Sequence, residues 1–165
     1  MTLPLPTPRT LGESGITTSP LAWGMWRSAG TATEVARLLH TALDAGIDLI
    51  DTADIYGWNG SEGFGAVEAT LGAALRADPG LRQRITLVTK GGIRPPVPYD
   101  QSRGYMDAAL DASLARLGTD VIDLYLIHRP DLLTHPQELA GFLDAAVANG
   151  KVRSVGVSNF TVAQI

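Results

Sequence analysis

Hydrophobic and polar residues alternate along the chain in a repeating unit: an apolar run of strand length, a loop, and a segment with helical periodicity. In the first helical segment, Thr31–Ala45, apolar residues recur three and four positions apart, the spacing of one helix face. Thr31 and Glu34 predict a capping box at its start, and Gly46 predicts a left-handed residue after its end. The pattern therefore predicts strands and helices in alternation.

Five apolar runs have the length and composition of strands. They are Pro20–Trp26, Ile47–Ala53, Ile85–Lys90, Val121–Ile127 and Val152–Val157. Further helices are predicted to begin at Ser61, Ser102 and Pro136, and Thr161–Ile165 predicts the opening turn of another. Residues 1–19, rich in Pro, Thr and Gly, are expected to form a hairpin or cap.

Alternating strands and helices with right-handed crossovers indicate a parallel sheet. Such a sheet is either open and doubly wound or closed into a (β/α)₈ barrel. Eight units of a barrel need about 250 residues, whereas this chain has 165 residues and five units. We therefore expect residues 1–165 to form the N-terminal part of a single TIM-type (β/α)₈ barrel domain, truncated after its fifth strand.

Composition excludes several classes of protein. Hydrophobic residues make up 45% and charged residues 18% of the chain, which is typical of a folded domain. The net charge of −4 argues against a nucleic-acid partner, and the absence of cysteine excludes disulfides, thiolate metal sites and cysteine nucleophiles. Neither a membrane span nor a leader peptide is recognisable, so a cytoplasmic protein without a membrane partner is expected, its oligomeric state left open.

Polar residues of chemical use collect where the predicted strands end. They are Asp51, Tyr56, Lys90, His128, Ser158 and Asn159. In a barrel these positions share the rim at the carboxyl ends of the strands, where active sites are built. Each residue alone is more often a cap, a packing residue or a solvated side chain. Together they predict a site.

The combination also makes chemical sense. A tyrosine hydroxyl is a poor proton donor at neutral pH. A neighbouring ammonium group favours the phenolate that proton donation leaves behind, and a carboxylate beside the ammonium keeps it charged and in place. An imidazole can donate a hydrogen bond to a carbonyl oxygen and orient it. The residues therefore suit proton donation to a carbonyl compound.

Four stretches of sequence carry a resemblance to a known family. They are Gly46–Gly57 with the following Ser61 and Glu62, Leu87–Gly91, Arg116–His128 and Gly150–Phe160. On these motifs the chain resembles an aldo-keto reductase of the bacterial kind, from about Arg9 to Ile165, with the motifs in the family's order.

The resemblance implies a TIM-type barrel that reduces aldehydes or ketones with NADPH. The family's catalytic tetrad falls on Asp51, Tyr56, Lys90 and His128, with Tyr56 as general acid, Lys90 activating it, Asp51 holding Lys90 and His128 orienting the substrate carbonyl. The residues implied to bind the cofactor are Gly24, Met25, Trp26, Asp51, Ser158 and Asn159. Those implied to wall the substrate pocket are Trp26, Trp58 and Arg129.

The chain departs from the family's pattern because the last three βα units are missing. In the family these units bind the pyrophosphate and the adenosine 2′-phosphate, so the choice between NADPH and NADH stays open, as do the natural substrate and the activity of the 165-residue chain. One alternative is a truncated or non-catalytic protein of this fold acting as a binding or regulatory module.

Three other interpretations are less well supported. A metal-dependent barrel hydrolase would use Asp51, Asp54 and His128, but no closely spaced histidine pair supports it, and no metal is expected. Gly63–Glu68 begins like a dinucleotide fingerprint but ends in Glu. Gly156–Phe160 resembles a nucleophile elbow but lacks its closing glycine.

Overall fold

A short antiparallel hairpin precedes the main sheet. The computed structural model describes residues 7–28 and 30–165, so the first six residues of the predicted cap lie outside the described residues. The hairpin pairs β1 (Arg9–Thr10) with β2 (Thr17–Thr18). The Thr18 hydroxyl and the Ser19 N–H both donate to Asp48 Oδ1, at 2.6 and 2.7 Å, which attaches the hairpin to the main sheet.

The main sheet contains five parallel strands in the order in which they follow along the chain. They are β3 (Ala22–Gly24), β4 (Leu49–Asp51), β5 (Thr86–Gly91), β6 (Ile122–Ile127) and β7 (Val152–Val157). A doubly wound sheet would reverse its order near the middle, whereas a barrel continues in one direction. The uninterrupted order therefore confirms the arrangement of a TIM-type barrel. Within the described residues, β3 and β7 each pair on one side only.

Four helices connect successive strands. They are α1 (Ala32–Asp44), α2 (Ala66–Ala77), α3 (Arg103–Leu117) and α4 (Pro136–Ala148). The predicted capping box of α1 is confirmed: Glu34 N–H donates to Thr31 Oγ1 at 3.3 Å, and Thr31 N–H donates to Glu34 Oε2 at 2.7 Å. Pro136 occupies the first turn of α4, where its missing N–H needs no partner.

The prediction that the second helix begins at Ser61 is wrong. Helix α2 begins at Ala66, after Gly65, whose φ of 79° is left-handed. Ser61 lies in the preceding loop, where its N–H and hydroxyl both donate to Asn59 Oδ1. Gly57 and Gly63 also have positive φ, and a Cβ on Gly63 would lie 2.2 Å from the Gly57 carbonyl oxygen. This close approach folds the loop back on itself, so the helix begins only after the loop, at Ala66.

Other boundaries differ less. The first two strands are shorter than predicted, although single hydrogen bonds continue the pairing beyond them: Met25 N–H donates to the Asp51 carbonyl and Thr52 N–H to the Val88 carbonyl. The predicted fifth helix is present only as a 3₁₀ turn, Val162–Gln164, after a capping box of Thr161 and Gln164. Among the described residues, no helix combines the length and apolar character that a bilayer crossing requires.

The hydrophobic core receives side chains from the strands and from the helices that connect them. Its fully buried members include Leu39, Ile50, Leu71, Leu87, Leu110, Ile122, Tyr125 and Phe142. The helical residues among them fall on the predicted apolar faces, and burial of such side chains stabilises a fold by roughly 1.5–3 kcal/mol each. This packing holds the carboxyl ends of the strands in a common rim.

Candidate active site

Three of the predicted residues lie at the carboxyl ends of neighbouring strands, at one rim of the sheet. Asp51 is the last residue of β4, Lys90 lies one residue before the end of β5, and His128 directly follows β6. The parallel register aligns these strand ends, and the His128 N–H extends the ladder by donating to the Gly91 carbonyl at 2.9 Å. The structure therefore brings together residues that are up to 77 positions apart (128 − 51).

The ammonium group of Lys90 lies at the centre of this group. Its Nζ donates to the Asp51 carboxylate at 2.7 Å, to the Thr52 carbonyl at 2.9 Å and to the Tyr56 hydroxyl at 3.1 Å. These three bonds use all three donors of the ammonium group. The Lys90 side chain is buried, so the charge is held in one place between a carboxylate and a phenol.

Tyr56 is positioned by a short turn after β4. Its N–H donates to the Ala53 carbonyl at 3.1 Å, and the Asp54 N–H donates to the Lys90 carbonyl at 3.0 Å. The Tyr56 ring meets the His128 ring edge-on, with centroids 5.8 Å apart, and the Trp26 ring at 5.4 Å. The loop is thereby tied to β5, and its phenol faces both Lys90 and His128.

His128 is an uncharged ring at neutral pH. Its burial, and then the positive charges of Lys90 and Arg129, lower the pKa of His128 to about 4. A neutral imidazole has one N–H to donate and one nitrogen to accept. The His128 Nδ1 is buried without a hydrogen-bond partner among the described residues. The neutral ring therefore keeps one N–H that can donate a hydrogen bond.

Four of the predicted cofactor residues lie at this rim with accessible groups. Gly24 ends β3 and has open space where a side chain would be, and Trp26 is 63% exposed beside Tyr56. Ser158 and Asn159 follow β7, and Asn159 Nδ2 donates to the His128 carbonyl at 2.8 Å and to Ser158 Oγ at 2.9 Å. An exposed indole, an open glycine and two polar side chains are compatible with a flat carboxamide-bearing ring such as nicotinamide.

Met25 differs from the prediction of a contact residue. Its side chain is completely buried in the core, so it offers no surface to a bound molecule. Its N–H donates to the Asp51 carbonyl at 2.8 Å, which continues the pairing of β3 with β4 by one residue. Trp26 lies in the turn that follows, where the Ser28 N–H donates to the Met25 carbonyl at 2.9 Å, and its side chain is exposed.

The predicted pocket walls lie in two clefts at the rim. Trp58 packs edge-on against Phe64 and lines a cleft with the prolines of the loop after β5. Arg129 lines a larger cleft of about 880 Å³, together with Arg94 and Asn159. Sequence reasoning missed Arg94, although its position in the loop after β5 placed it at the rim. The structure does not bring Trp58 and Arg129 into one cleft.

Comparison with known proteins adds to this geometry. The sequence profile described as the Aldo/keto reductase family matches residues 20–165. The chain belongs to the aldo/keto reductase family. Its relatives include two proteins named 6-dehydroglucose reductase: one of Novosphingobium aromaticivorans, 62% identical over 99% of this chain and 55% of its own length, and one of Agrobacterium fabrum, 44% identical over 86% and 50%.

Solved structures agree with this assignment. A holo form of an aldo-keto reductase from Bacillus halodurans superposes with a TM-score of 0.80 at 32% identity, and covers 93% of this chain and 50% of its own. A putative aldo-keto reductase from Pseudomonas aeruginosa gives a TM-score of 0.79 at 33% identity. This aldo/keto reductase chain thus spans about half the length of the curated relatives it matches, and its five strands correspond to part of their barrel.

Proposed function

We propose that this aldo/keto reductase reduces an aldehyde or ketone to an alcohol with hydride from NADPH. The observation that carries the proposal is the hydrogen-bonded set around Lys90, whose Nζ lies 2.7 Å from the Asp51 carboxylate and 3.1 Å from the Tyr56 hydroxyl. The neutral ring of His128 lies beside the same phenol. A proton donor, a group that stabilises its conjugate base and a group that orients a carbonyl are therefore adjacent.

The proton transfer follows from this geometry. NADPH, when bound, supplies a hydride to the carbonyl carbon. The Tyr56 O–H bond breaks as its proton passes to the carbonyl oxygen, and the electron pair stays on the Tyr56 oxygen. The Lys90 ammonium stabilises the resulting phenolate, while Asp51 holds Lys90 in place. His128 donates a hydrogen bond to the carbonyl oxygen, where negative charge develops.

The nicotinamide end of the cofactor would be held by residues at the ends of the outer strands. Ser158 and Asn159 after β7 offer polar atoms for the carboxamide, and Gly24 leaves room at the end of β3. Asp51 lies opposite Gly24 in the parallel register of β3 and β4. The indole of Trp26, exposed against Tyr56, is suited to wall both the nicotinamide and the substrate.

The substrate class that we propose is a sugar aldehyde. Two relatives of this chain are named 6-dehydroglucose reductase, and an Escherichia coli relative that is 36% identical is named L-glyceraldehyde 3-phosphate reductase. The cleft that Arg129 lines is consistent with this class because Arg94, Arg129 and Asn159 can bind sugar hydroxyls.

Replacing Tyr56 by Phe tests the proposed acid. Because only the hydroxyl is lost, we expect kcat for carbonyl reduction to fall by about 10²–10⁴-fold with NADPH affinity unchanged. Tyr105→Phe is the matched control, since Tyr105 is another phenol, on α3, whose hydroxyl donates to the Ile93 carbonyl at 3.3 Å outside the cleft. NADPH oxidation in the presence of a sugar aldehyde measures both variants. Full turnover by Tyr56→Phe would reject this role.

A non-catalytic binding module is the second candidate. It is favoured by the single pairing of β3 and β7 within the described residues, because an unpaired strand edge can bind another chain. Titration of the protein with NADPH distinguishes the module from the reductase. Tryptophan fluorescence is the readout, because Trp26 lies against Tyr56. Quenching that saturates at micromolar NADPH supports the reductase. An unchanged signal together with a stable protein complex supports the module.

A further inference from the structure

A buried carboxyl group outside the tetrad lies on the same loop as Tyr56. Asp54 is 1% exposed, and neither of its side-chain oxygens has a hydrogen-bond partner among the described residues. Its main chain is fully bonded, because its N–H donates to the Lys90 carbonyl at 3.0 Å and its carbonyl accepts from the Gly65 N–H at 2.7 Å. The main chain thus fixes the position of Asp54 while its buried carboxyl group has no partner, and such a group requires a physical explanation.

The nearest positive charges are already paired. Arg116 binds the buried Glu68 carboxylate at 2.7 Å, and the Thr89 hydroxyl donates to the other Glu68 oxygen at 2.5 Å. Lys90 is bonded to the tetrad. Burial, and then the negative charge of Glu68, raise the pKa of Asp54 well above its ordinary value, while Arg116 and Lys90 oppose this less strongly. These surroundings favour the protonated form of Asp54, which has a proton to donate.

A second unpartnered group lies beside it. The Tyr125 hydroxyl is completely buried and has no hydrogen-bond partner among the described residues. A Cβ built on Gly91 would lie 2.1 Å from the Tyr125 hydroxyl and 3.4 Å from Asp54 Oδ2, so both groups approach the α-carbon of the residue that follows Lys90. One hydrogen bond between Asp54 and Tyr125 would satisfy both polar groups at once.

We propose that Asp54 is a positioning residue: acting with the Tyr125 hydroxyl beside Gly91, it fixes the loop that carries Tyr56 against Lys90. The proposal rests on the proposed reductase function, since it assigns the loop a task in that reaction. If Asp54 were ionised, its carboxylate would also attract the Lys90 ammonium group, which Asp51 already binds. The neutral form leaves this ammonium to the tetrad while supplying a fixed contact between the loop and β6.

The pH dependence of stability tests the neutral state without any need for turnover. The titratable and charged groups that face Asp54 are Glu68 on α2, Tyr105 and Arg116 on α3, Lys90 on β5 and Tyr125 on β6. Asp54→Asn keeps the shape of the neutral acid and has no proton to lose. Urea unfolding of both proteins at a series of pH values gives their unfolding equilibrium constants.

The sign of the expected effect follows from proton linkage. Above the ordinary carboxyl pKa, the unfolded chain releases the Asp54 proton and the folded chain keeps it. The unfolding constant of the wild type relative to Asp54→Asn should therefore rise by about tenfold per pH unit, up to the pKa in the folded protein. A ratio that stays constant above the ordinary pKa shows that folded Asp54 is ionised and overturns the proposal.

The positioning role is tested by the Tyr56 signal in ¹³Cζ-tyrosine NMR spectra, assigned with Tyr56→Phe. We expect Asp54→Asn to leave this signal in place and both Asp54→Ala and Tyr125→Phe to move it, because each removes the buried hydrogen bond. The Tyr99 signal, from an exposed ring, is the internal control. The proposal is overturned if Tyr125→Phe leaves the Tyr56 signal in place, or if Asp54→Asn moves that signal as far as Asp54→Ala does. Because neither measurement needs activity, failure of the proposed function remains distinguishable.

Discussion

Individual residues of this protein owe their chemical state to contacts with distant parts of the chain. His128 is an ordinary histidine in sequence, yet burial and two neighbouring cations keep it uncharged in the folded protein. The pKa of Asp54 is raised, whereas that of His128 is lowered, since burial favours the protonated form of a carboxyl group. In both cases desolvation disfavours the charged species, which gives opposite pKa shifts for a base and an acid.

The state of His128 predicts how stability depends on pH. Between about pH 6.5, its ordinary pKa, and the folded value of about 4, the unfolded chain binds a proton that the folded chain does not. The free energy of unfolding should therefore fall by ~1.4 kcal/mol per pH unit as the pH decreases through this window, and this loss should end below it. His128→Gln should show a shallower fall in urea denaturation. Identical slopes would contradict the prediction.

At the scale of elements, helices α2 and α3 approach each other closely at a glycine. A Cβ on Gly72 would lie 2.0 Å from the Arg116 carbonyl oxygen, a backbone atom that cannot swing aside. The same contact holds the Arg116 side chain near Glu68, whose ion pair is buried between these helices. Small side chains at such a crossing allow the backbones to approach, whereas larger ones force them apart.

Two glycine substitutions should therefore have opposite effects. Gly72→Ala should destabilise the protein by about 1–3 kcal/mol or more, because the added methyl group forces α2 and α3 apart. Gly141→Ala, in the interior of α4 with no atom within 4 Å of the new Cβ, should stabilise it by about 0.5–1 kcal/mol through reduced backbone entropy of the unfolded chain. Thermal unfolding measures both. Equal shifts in Tm would contradict this account.

At the scale of the whole molecule, the parallel sheet has two outer strands, β3 and β7. Within the described residues, β3 and β7 each have a partner strand on one side only. The carboxyl end of β7 also presents Val157, which is 36% exposed. Unpaired edges with apolar side chains are templates for pairing with another chain.

We expect the purified 165-residue polypeptide to associate in a concentration-dependent way through these edges. Val157→Lys should weaken this association, because a charged side chain on an edge strand disfavours pairing. Val162→Lys is the matched control, since it adds the same charge at an exposed position outside the sheet. Sedimentation velocity over a range of concentrations measures the effect. A wild type that remains monomeric throughout would refute the expectation.

The four helices between strands, apart from the start of α2, and the positions of the strand ends could be predicted from the sequence alone. Periodicity and caps such as Thr31 with Glu34 act between near neighbours, so they can be recognised without coordinates. Strand-end positions such as Lys90 follow from the rule that parallel strands end on one side.

Only the tertiary structure decided which groups touch. The bonds from Lys90 to Asp51 and Tyr56, the burial of Met25 and the unpartnered carboxyl of Asp54 join or enclose residues that are far apart in sequence. The late start of α2 has the same origin, because the backbone of Gly57 packs against that of Gly63. Local preferences cannot specify such contacts, since their free energy depends on burial, which exists only after the chain has folded.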